Sequence, residues 1–186
     1  MTSPSETSAS GTAPELVVLL DEEGRAIGSA DKAVIHTTET PLHLAFSCHL
    51  VDDDGRVLLT RRALTKLTWA GVWTNSFCGH PGPGEDPTEA LVRRAEQELG
   101  TVVDSIEPAI PDFRYRAVDD SGVVENEICP VFTARIRADL NPRADEVCSH
   151  HWARPEDVRV AVEATPFAFS PWMVEQIPKM DLYSRR

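Results

Sequence analysis

Short runs of hydrophobic residues separated by turn-forming residues dominate the first half of the chain. The run ELVVLL at 15–20 predicts a strand that stops at the turn DEEG. HLAFSCHLV at 43–51 and RVLLTRRA at 56–63 predict two further strands, and the DDDG between them is typical of a hairpin. WTNSFCGH at 73–80 predicts another strand that ends at Gly79. The pattern therefore indicates a sheet built largely from hairpins.

The clearest helix signal is DPTEALVRRAEQELG, which follows the loop PGPGED. Asp86 is a candidate N-cap, Pro87 suits the first helical position, and Gly100 is placed to end the helix. Apolar residues recur every four positions and predict one buried side, whereas Arg94 and Glu98 share another side. The sequence therefore predicts a helix over this stretch.

The second half adds one hairpin and two helices. FRYRAV and VVENEICPVFTARI are strand-like runs joined by the turn DDSG, and CSHHWA predicts a further strand. PEDVRVAV and PFAFSPWMVEQI predict helices. Hairpins mixed with few helices indicate an α/β (α+β) fold, in which a mixed β-sheet is sandwiched between helices in a single domain.

Composition limits the class of protein. The chain has 186 residues, enough for one domain, which we expect over residues 15–186. The small and polar segment MTSPSETSASGTAP predicts a disordered tail at 1–14 and lacks the features of a signal peptide, so we expect a cytoplasmic protein. No apolar run approaches the ~20 residues that a membrane span needs. The net charge of −12 argues against nucleic-acid binding but allows a phosphorylated small molecule.

Four cysteines raise the question of thiol chemistry. None forms a CxxC pair, and in a cytoplasmic chain disulfides are not expected. We expect Cys48, Cys129 and Cys148 to be small buried hydrophobic residues. Cys78 differs because it lies in TNSFCGHP, two residues before a histidine.

The stretch from Gly79 to Gly100 carries a specific spacing. Five residues separate Gly79 from Glu85, seven separate Glu85 from Arg93, and RAEQELG follows. This spacing resembles the Nudix box, G-x5-E-x7-R-E-U-x-E-E-x-G-U, in which U is a bulky apolar residue. In that family the box is a loop–helix–loop that holds a divalent cation against a diphosphate, a role that suits hard oxygen ligands.

Two positions of the box depart from the family pattern. Arg94 stands where a glutamate is expected, and Gln97 replaces the first of two adjacent glutamates, while Glu98 keeps the second. Nudix hydrolases use those carboxylates to hold metals and activate water. The substitutions therefore remove much of the hydrolytic machinery that the resemblance would imply.

Other segments, in the right order, resemble one particular Nudix family. HTTETPLHLAFS, LLTRRAL, WAGVWTNSFCGHP, PDFRYRA, ENEICPVF and ATPFAFSPWM are similar to segments of the type I isopentenyl-diphosphate isomerases. The resemblance extends from about Glu15 to about Gln176. It implies a Nudix-like fold and the interconversion of isopentenyl and dimethylallyl diphosphate in isoprenoid biosynthesis. Such a reaction adds a proton at one carbon and removes one from another.

The resemblance also implies which residues move the protons. Cys78 and Glu127 are implied on opposite sides of the alkene, with Tyr115 as a hydrogen-bonding helper of Glu127. Glu125 and Glu127 are two positions apart in a predicted strand and therefore point to the same face. Two such carboxylates are costly to bury unless a positive group compensates them, and a metal ion would do so.

A metal centre is implied at these acids. The mixture of imidazoles and carboxylates suits Mn²⁺, Zn²⁺ or Fe²⁺ better than Mg²⁺. No local spacing such as HExxH marks the histidines, so their assignment depends on the resemblance alone. The implied ligands are His36, His43, His80, Glu125 and Glu127.

A diphosphate site is implied as well. Glu98 would hold a Mg²⁺ ion that also binds the substrate diphosphate. The indole of Trp172 would lie over the reacting carbons, where its face can stabilise positive charge. The basic residues implied around the phosphates are Lys32, Arg62, Lys66 and Arg94, which would form charge-assisted hydrogen bonds.

Plainer interpretations of the same residues stay open at this point. Cys78 could be a packed thiol, Glu98 a helix-surface partner of Arg94, and Trp172 a core residue of a helix. Two other functions compete: a Nudix pyrophosphohydrolase acting on a nucleoside diphosphate derivative, and a non-catalytic module that binds a metal or a diphosphate. The expected partner is a small-molecule diphosphate, and the chain could be a monomer or a homodimer.

Overall fold

The computed structural model describes residues 15–184, so the expected disordered tail at 1–14 lies outside the described residues. Within this range the chain forms twelve β-strands and four α-helices, joined by turns and short 3₁₀ segments. The strands are β1 (Leu16–Leu20), β2 (Ala26–Asp31), β3 (His43–Leu44), β4 (Phe46–Val51), β5 (Val57–Arg62), β6 (Trp73–Thr74), β7 (Phe77–Gly79), β8 (Val103–Ile110), β9 (Arg114–Val118), β10 (Val124–Ile128), β11 (Val131–Ile136) and β12 (Val147–Ala153). The helices are α1 (Lys32–Ile35), α2 (Pro87–Leu99), α3 (Pro155–Ala164) and α4 (Pro171–Gln176).

The strands belong to two sheets. The first has the order β2-β1-β3-β10-β9, and the second has the order β12-β5-β4-β11-β8, with β6 beside β5 and β7 beside β4. The pairs β3–β10 and β4–β11 are parallel, whereas the other pairs are antiparallel. The predicted mixed arrangement is therefore confirmed, but it is divided between two sheets.

Two runs that the sequence predicted as single strands pass from one sheet to the other. The run 43–51 bends at Ala45 between β3 and β4, and the run 123–136 bends at Cys129 and Pro130 between β10 and β11. The two bends lie side by side, because the Ala45 amide donates to the Ile128 carbonyl at 3.0 Å. The apolar pattern continues through the first bend and could not reveal it, whereas Pro130 is a local signal for the second.

The second sheet is covered on one face by α2 and on the other by α3 and α4. On β5, Leu58 joins the apolar cluster around α2, whereas Val57 and Leu59 join the cluster around α3 and α4. Adjacent strand residues point to opposite faces, so the two layers cover opposite sides of this sheet. The predicted sandwich of sheet between helices is confirmed for this sheet.

The predicted helix over residues 86–100 is α2, with the caps that the sequence indicates. The Asp86 carboxylate accepts from the Thr88 amide at 2.8 Å, and Pro87 is the first helical residue. Gly100 has φ 58° and ends the helix in the left-handed region. A side chain there would also meet the Asn141 carbonyl oxygen, 2.6 Å from an ideal Cβ. Both conditions select glycine.

Three elements have no clear signal in the sequence. Strands β2 and β8 lie at sheet edges, and most of their side chains are exposed or half-buried, so no alternation marks them. Helix α1 has only four residues and is capped by the Asp31 carboxylate. Across residues 15–184, no helix is long and apolar enough to cross a membrane.

Candidate active site

One cavity of about 710 Å³ collects nearly all the residues singled out in the sequence. Strands of both sheets contribute to its wall, together with α1, α2 and α4. Of the expected site residues, all of which are described, only His43 is absent from the wall, since its side chain is fully buried just behind it. The expected residues that line the cavity are Lys32, His36, Arg62, Lys66, Cys78, His80, Arg94, Glu98, Tyr115, Glu125, Glu127 and Trp172.

Three histidines and one glutamate form a compact group at this cavity. Each offers one ligand atom, and these atoms all lie within 4.8 Å of one another. His36 follows α1, His43 lies on β3, His80 follows β7 and Glu127 lies on β10. The group therefore depends on four segments that are far apart in the sequence.

The hydrogen bonding of these histidines leaves ligand atoms free. His43 Nδ1 lies 2.9 Å from the Pro41 carbonyl oxygen, which can only accept, so Nδ1 carries the proton and Nε2 presents a lone pair. His43 Nε2, His36 Nε2 and His80 Nδ1 are buried and make no hydrogen bond of acceptable geometry within residues 15–184. Buried nitrogens of this kind are expected where a metal completes the site. The residues present therefore fit a metal ion.

The two glutamates of β10 have different surroundings. Glu127 Oε1 lies 3.1 Å from His80 Nε2 and 3.4 Å from His43 Nε2. Glu125 lies outside the group of four, but its Oε2 is 3.0 Å from His36 Nε2 and its Oε1 accepts from the Thr68 hydroxyl at 2.9 Å. Glu125 thus flanks the metal group and is held by Thr68, a residue that no motif in the sequence had marked.

The electrostatics of the group favour an ionised carboxylate. Burial opposes ionisation of Glu127, but the adjacent His43 and His80 side chains hold its pKa well below the usual range. Burial lowers the pKa of His80, whereas the contact with Glu127 outweighs burial and raises the pKa of His43. Glu127 is therefore a carboxylate at neutral pH and can accept a proton.

Tyr115 is the cross-strand partner of Glu127 in the β9–β10 pair. Its hydroxyl makes no hydrogen bond with Glu127 in the part of the chain that the structure describes, so the expected contact is not formed here. Burial and the two nearby glutamates raise the pKa of Tyr115 well above its ordinary value. Tyr115 is therefore a neutral phenol beside the carboxylate.

Cys78 lies on β7 and is held by two polar side chains. Its sulfur is 3.3 Å from the Ser47 hydroxyl and 3.5 Å from Asn75 Oδ1. Burial raises the pKa of the thiol to about 11, although the hydrogen bonds from Ser47 and Asn75 act in the opposite direction. The thiol is therefore protonated at neutral pH and faces the cavity, which excludes the interpretation of Cys78 as a packed thiol remote from the site.

Trp172 lies in the first turn of α4 and is fixed at the same place. Its indole Nε1 donates to Asn75 Oδ1 at 2.9 Å, so Asn75 ties the indole to the thiol. The ring centroid of Tyr115 lies 5.8 Å from that of the indole, and the Arg62 guanidinium carbon lies 5.4 Å from it. Asn75 holds this arrangement together, although its position within TNSFCGHP did not distinguish it from a turn residue.

Four basic side chains also contribute to the cavity wall. Lys32, Arg62, Lys66 and Arg94 line it together with Glu98. In the structure these charges are partly paired: Lys32 Nζ lies 3.0 Å from Glu15, Lys66 pairs with Glu146, and Arg94 pairs with Glu98. Glu15 and Glu146 were not expected here, because neither lies in the box or in a histidine-containing segment.

The Nudix box itself is braced by an ion pair. Arg93 Nε and Nη2 contact the two oxygens of Glu85 at 2.7 and 2.8 Å, which ties the loop to α2. Glu85 is thus engaged in the scaffold, and Glu98 is the box carboxylate that lines the cavity. This arrangement disfavours the hydrolase interpretation, which needs a cluster of metal-binding carboxylates on α2.

The remaining cysteines are partly as expected. Cys48 and Cys129 are buried. Cys148 is exposed, so the expectation that it is buried is wrong. It lies on the edge strand β12, where its side chain has no covering layer within the described residues.

Comparisons with known proteins agree on one family. The model of the NUDIX domain matches residues 41–173. An isopentenyl-diphosphate Delta-isomerase of Clavibacter sepedonicus is 61% identical over 164 residues, covering 88% of this chain and 86% of the relative. The enzyme of the same name from Leifsonia xyli is 61% identical over 168 residues, covering 89% and 91%. That of Mycolicibacterium vanbaalenii is 55% identical over 167 residues, covering 90% and 92%.

Solved structures support the fold alone. A crystal structure from Deinococcus radiodurans has a TM-score of 0.69 at 17% identity and covers 90% of this chain and 99% of its own. The MutT protein of Methanosarcina mazei has a TM-score of 0.59 at 19% identity, covering 78% and 97%. At such low identity the likeness concerns the arrangement of sheets and helices.

Proposed function

The chain belongs to the isopentenyl-diphosphate Delta-isomerase family of Nudix proteins, and we propose that Cys78 and Glu127 carry the proton transfers of its reaction. The enzyme interconverts isopentenyl and dimethylallyl diphosphate. The observation that carries the proposal is one cavity that combines a protonated thiol, an ionised carboxylate and four basic side chains. These are the acid, the base and the anion site that the reaction needs.

The proton balance assigns a role to each group. In the forward direction, Cys78 gives its proton to the terminal alkene carbon, and Glu127 removes a proton from the carbon on the other side of the new cation. One proton enters the substrate and one leaves, so the net charge of the substrate is unchanged, while the thiol becomes a thiolate and the carboxylate an acid. The reverse direction exchanges these roles. The resting state returns when the two groups exchange protons with each other or with water.

The intermediate is a tertiary carbocation or close to one, so its surroundings must stabilise positive charge. The Trp172 indole presents an aromatic face within the cavity, and Tyr115 lies beside it. An aromatic face attracts a cation by about 2 kcal/mol when water is excluded. Trp172 therefore supports the charge without offering an atom that readily forms a bond to carbon.

The diphosphate would bind at the basic side chains of the cavity wall. Lys32, Lys66 and Arg94 would exchange their present acidic partners for phosphate oxygens. Arg62 would join them, and all four would donate charge-assisted hydrogen bonds. Glu98 would hold Mg²⁺ against the same phosphates, which suits a hard cation that keeps oxygen ligands. Anchoring the diphosphate end of the substrate fixes its hydrocarbon end between the thiol and the carboxylate. Holding the reacting carbons in this orientation increases the rate.

His36, His43, His80 and Glu127 would hold the second metal, with Glu125 beside it. The donor set of nitrogen and oxygen favours Mn²⁺ or Zn²⁺ over Mg²⁺. When bound, the metal would keep Glu127 ionised and oriented. The expected cytoplasmic location and the choice between monomer and homodimer stay predictions.

Deuterium incorporation tests the roles of the two proton-transfer residues. We expect wild-type enzyme in D₂O to exchange label into both isomers, and Cys78→Ala and Glu127→Gln each to lose turnover by about 10³-fold or more, because no group replaces the missing acid or base. Mass spectrometry of the recovered diphosphates measures both rates. Cys148→Ala is the control for loss of a thiol, since this exposed side chain does not line the cavity. Wild-type turnover in Cys78→Ala or in Glu127→Gln would refute the assignment.

A further inference from the structure

A row of buried polar side chains continues from Cys78 into the protein interior. Ser47 contacts the Cys78 sulfur, and Gln176, His49 and Tyr183 follow in turn. All four are at most 1% exposed, and none lines the cavity. A polar group at such depth is destabilising unless each donor meets an acceptor, so the directions of these hydrogen bonds can be worked out.

The inner end of the row has one arrangement of protons. His49 Nε2 lies 3.0 Å from Gln176 Oε1, which accepts and cannot donate, so Nε2 carries a proton. Burial lowers the pKa of His49 to about 4, so the ring is neutral and Nδ1 is an acceptor. The Tyr183 hydroxyl, 2.7 Å away, therefore donates to Nδ1.

The outer end of the row fixes Ser47. With its oxygen bound to His49, Gln176 turns its amide nitrogen to the Ser47 hydroxyl and donates to it at 2.9 Å. Ser47 accepts there, so its own proton is available for a sulfur atom. The sulfur of Cys78 is 3.3 Å away and that of Cys129 is 3.5 Å away.

Asn75 completes the environment of the thiol from another side. Its Nδ2 donates to the backbone oxygens of Cys48 and Phe77 at 3.0 and 2.9 Å. Both amide hydrogens are thus engaged, and Oδ1 already accepts from Trp172 Nε1 and from the Thr74 hydroxyl at 2.9 Å each. Its contact with the Cys78 sulfur, at 3.5 Å, is a long third one. Asn75 therefore does not hold the thiol proton, and Ser47 is the side chain that can donate to the sulfur.

We propose that His49 is a positioning residue, which acts through Gln176 to hold the Ser47 hydroxyl proton toward the Cys78 sulfur. The proposal rests on the proposed function of Cys78. When the thiol gives its proton to the substrate carbon, the sulfur becomes negative and the hydrogen bond from Ser47 becomes charge-assisted. This interaction is stronger in the transition state than in the ground state, so it raises kcat and leaves KM unchanged.

The sharpest experiment is a double-mutant cycle on kcat. His49→Leu removes the donor to Gln176, and Ser47→Ala removes the hydroxyl through which His49 acts. We expect His49→Leu and Ser47→Ala each to lower kcat about 10-fold, the size of a hydrogen bond to a charged group, with KM unchanged. The double variant should match Ser47→Ala within about twofold, because residues of one network are not additive.

Two further variants separate positioning from packing. His49→Gln keeps an amide donor near the place of Nε2, so it should restore kcat to within about twofold of wild type. His150→Leu removes an exposed histidine of the β12 strand and should change nothing. If His49→Leu does not fold, the other two variants still test the proposal. His49→Gln must keep kcat, and Ser47→Ala must lower it.

Alkylation of Cys78 by iodoacetamide at one fixed pH gives a readout independent of turnover. We expect it to be about 10-fold slower in His49→Leu and Ser47→Ala, because the thiolate loses its donor. Multiplicative effects in the double variant, an unchanged kcat in His49→Leu, or an unchanged alkylation rate would each overturn the proposal. An active Cys78→Ala would instead refute the proposed function, and the alkylation rates would still report whether His49 acts through Ser47.

Discussion

At the scale of single residues, the hydrogen bond made by one ring nitrogen of a histidine decides whether the second nitrogen has a lone pair for a metal ion. His43 and His49 lie six positions apart in one apolar run, and both are buried. In His43 the Nδ1 atom faces a carbonyl oxygen, which leaves Nε2 bare toward Glu127. In His49 the Nε2 atom faces an amide oxygen and must keep its proton, so it cannot bind a metal. The same residue type therefore serves two unrelated roles.

The buried neutral state of His49 predicts a pH dependence of stability. Its pKa is lowered from 6.5 to about 4 in the folded protein. The unfolded chain therefore binds the proton first as pH falls, so the stabilisation is complete above pH 6.5 and is lost between about 6.5 and 4. A shift of this size corresponds to about 3 kcal/mol.

Urea unfolding at several pH values measures this effect. We expect the free energy of unfolding to fall less steeply between pH 6.5 and 4 in His49→Gln than in wild type. His151→Gln, which removes an exposed histidine, should keep the wild-type slope. Equal slopes in all three proteins would contradict the prediction.

At the scale of elements, the sequence predicted the helix caps and strands that have local signals, and it missed the points where a strand run passes from one sheet to the other. The caps of α2 and the strands β1, β5 and β9 have local signals, so they could be read from neighbouring residues. The crossing at Ala45 has no local signal, because the apolar pattern runs through it without a break. The second crossing does have one, since Pro130 interrupts the ladder of a continuous strand, but its meaning was overlooked. Asn75 and Ser47 were missed because their roles depend on partners distant in sequence, and the resemblance assigned no role to either residue.

The end of α2 gives a prediction at this scale. In Gly100→Ala, the new residue must adopt φ 58° and its methyl group must meet the Asn141 carbonyl oxygen, so we expect a loss of about 3 kcal/mol in the free energy of unfolding. Gly84→Ala is the matched control, because Gly84 also has positive φ but has nothing within 4 Å of the position that a methyl group would take. It should lose only about 1 kcal/mol. Denaturant unfolding compares them, and similar losses would show that the contact with Asn141 is unimportant.

At the scale of the whole molecule, the metal group links distant parts of the chain. Its members follow α1, lie on β3, follow β7 and lie on β10, so the group forms only when both sheets are in place. A ligand that binds only the folded state stabilises it, by about 2.7 kcal/mol at a hundred times its Kd. Metal binding should therefore be visible in the thermal stability of the entire domain.

Chelation tests this linkage. Removing bound metal with a chelator should lower Tm by roughly 5–10 °C, and adding Mn²⁺ or Zn²⁺ should restore it. In His43→Ala the chelator should have little effect, because one ligand is missing. His151→Ala, which alters an exposed histidine, should respond as wild type does. A chelator-insensitive wild-type protein that contains bound metal would oppose the prediction.

The two side-by-side bends between the sheets set the spacing of the reaction partners. Beyond one bend lies Glu127 on β10, and beyond the other lies β4, which carries Cys78 through its neighbour β7. The gap that the five-carbon tail must fill therefore depends on how the chain passes from one sheet to the other at Ala45 and Pro130. Inserting a single residue at either bend would pull the acid and the base out of alignment while every reactive side chain stayed intact.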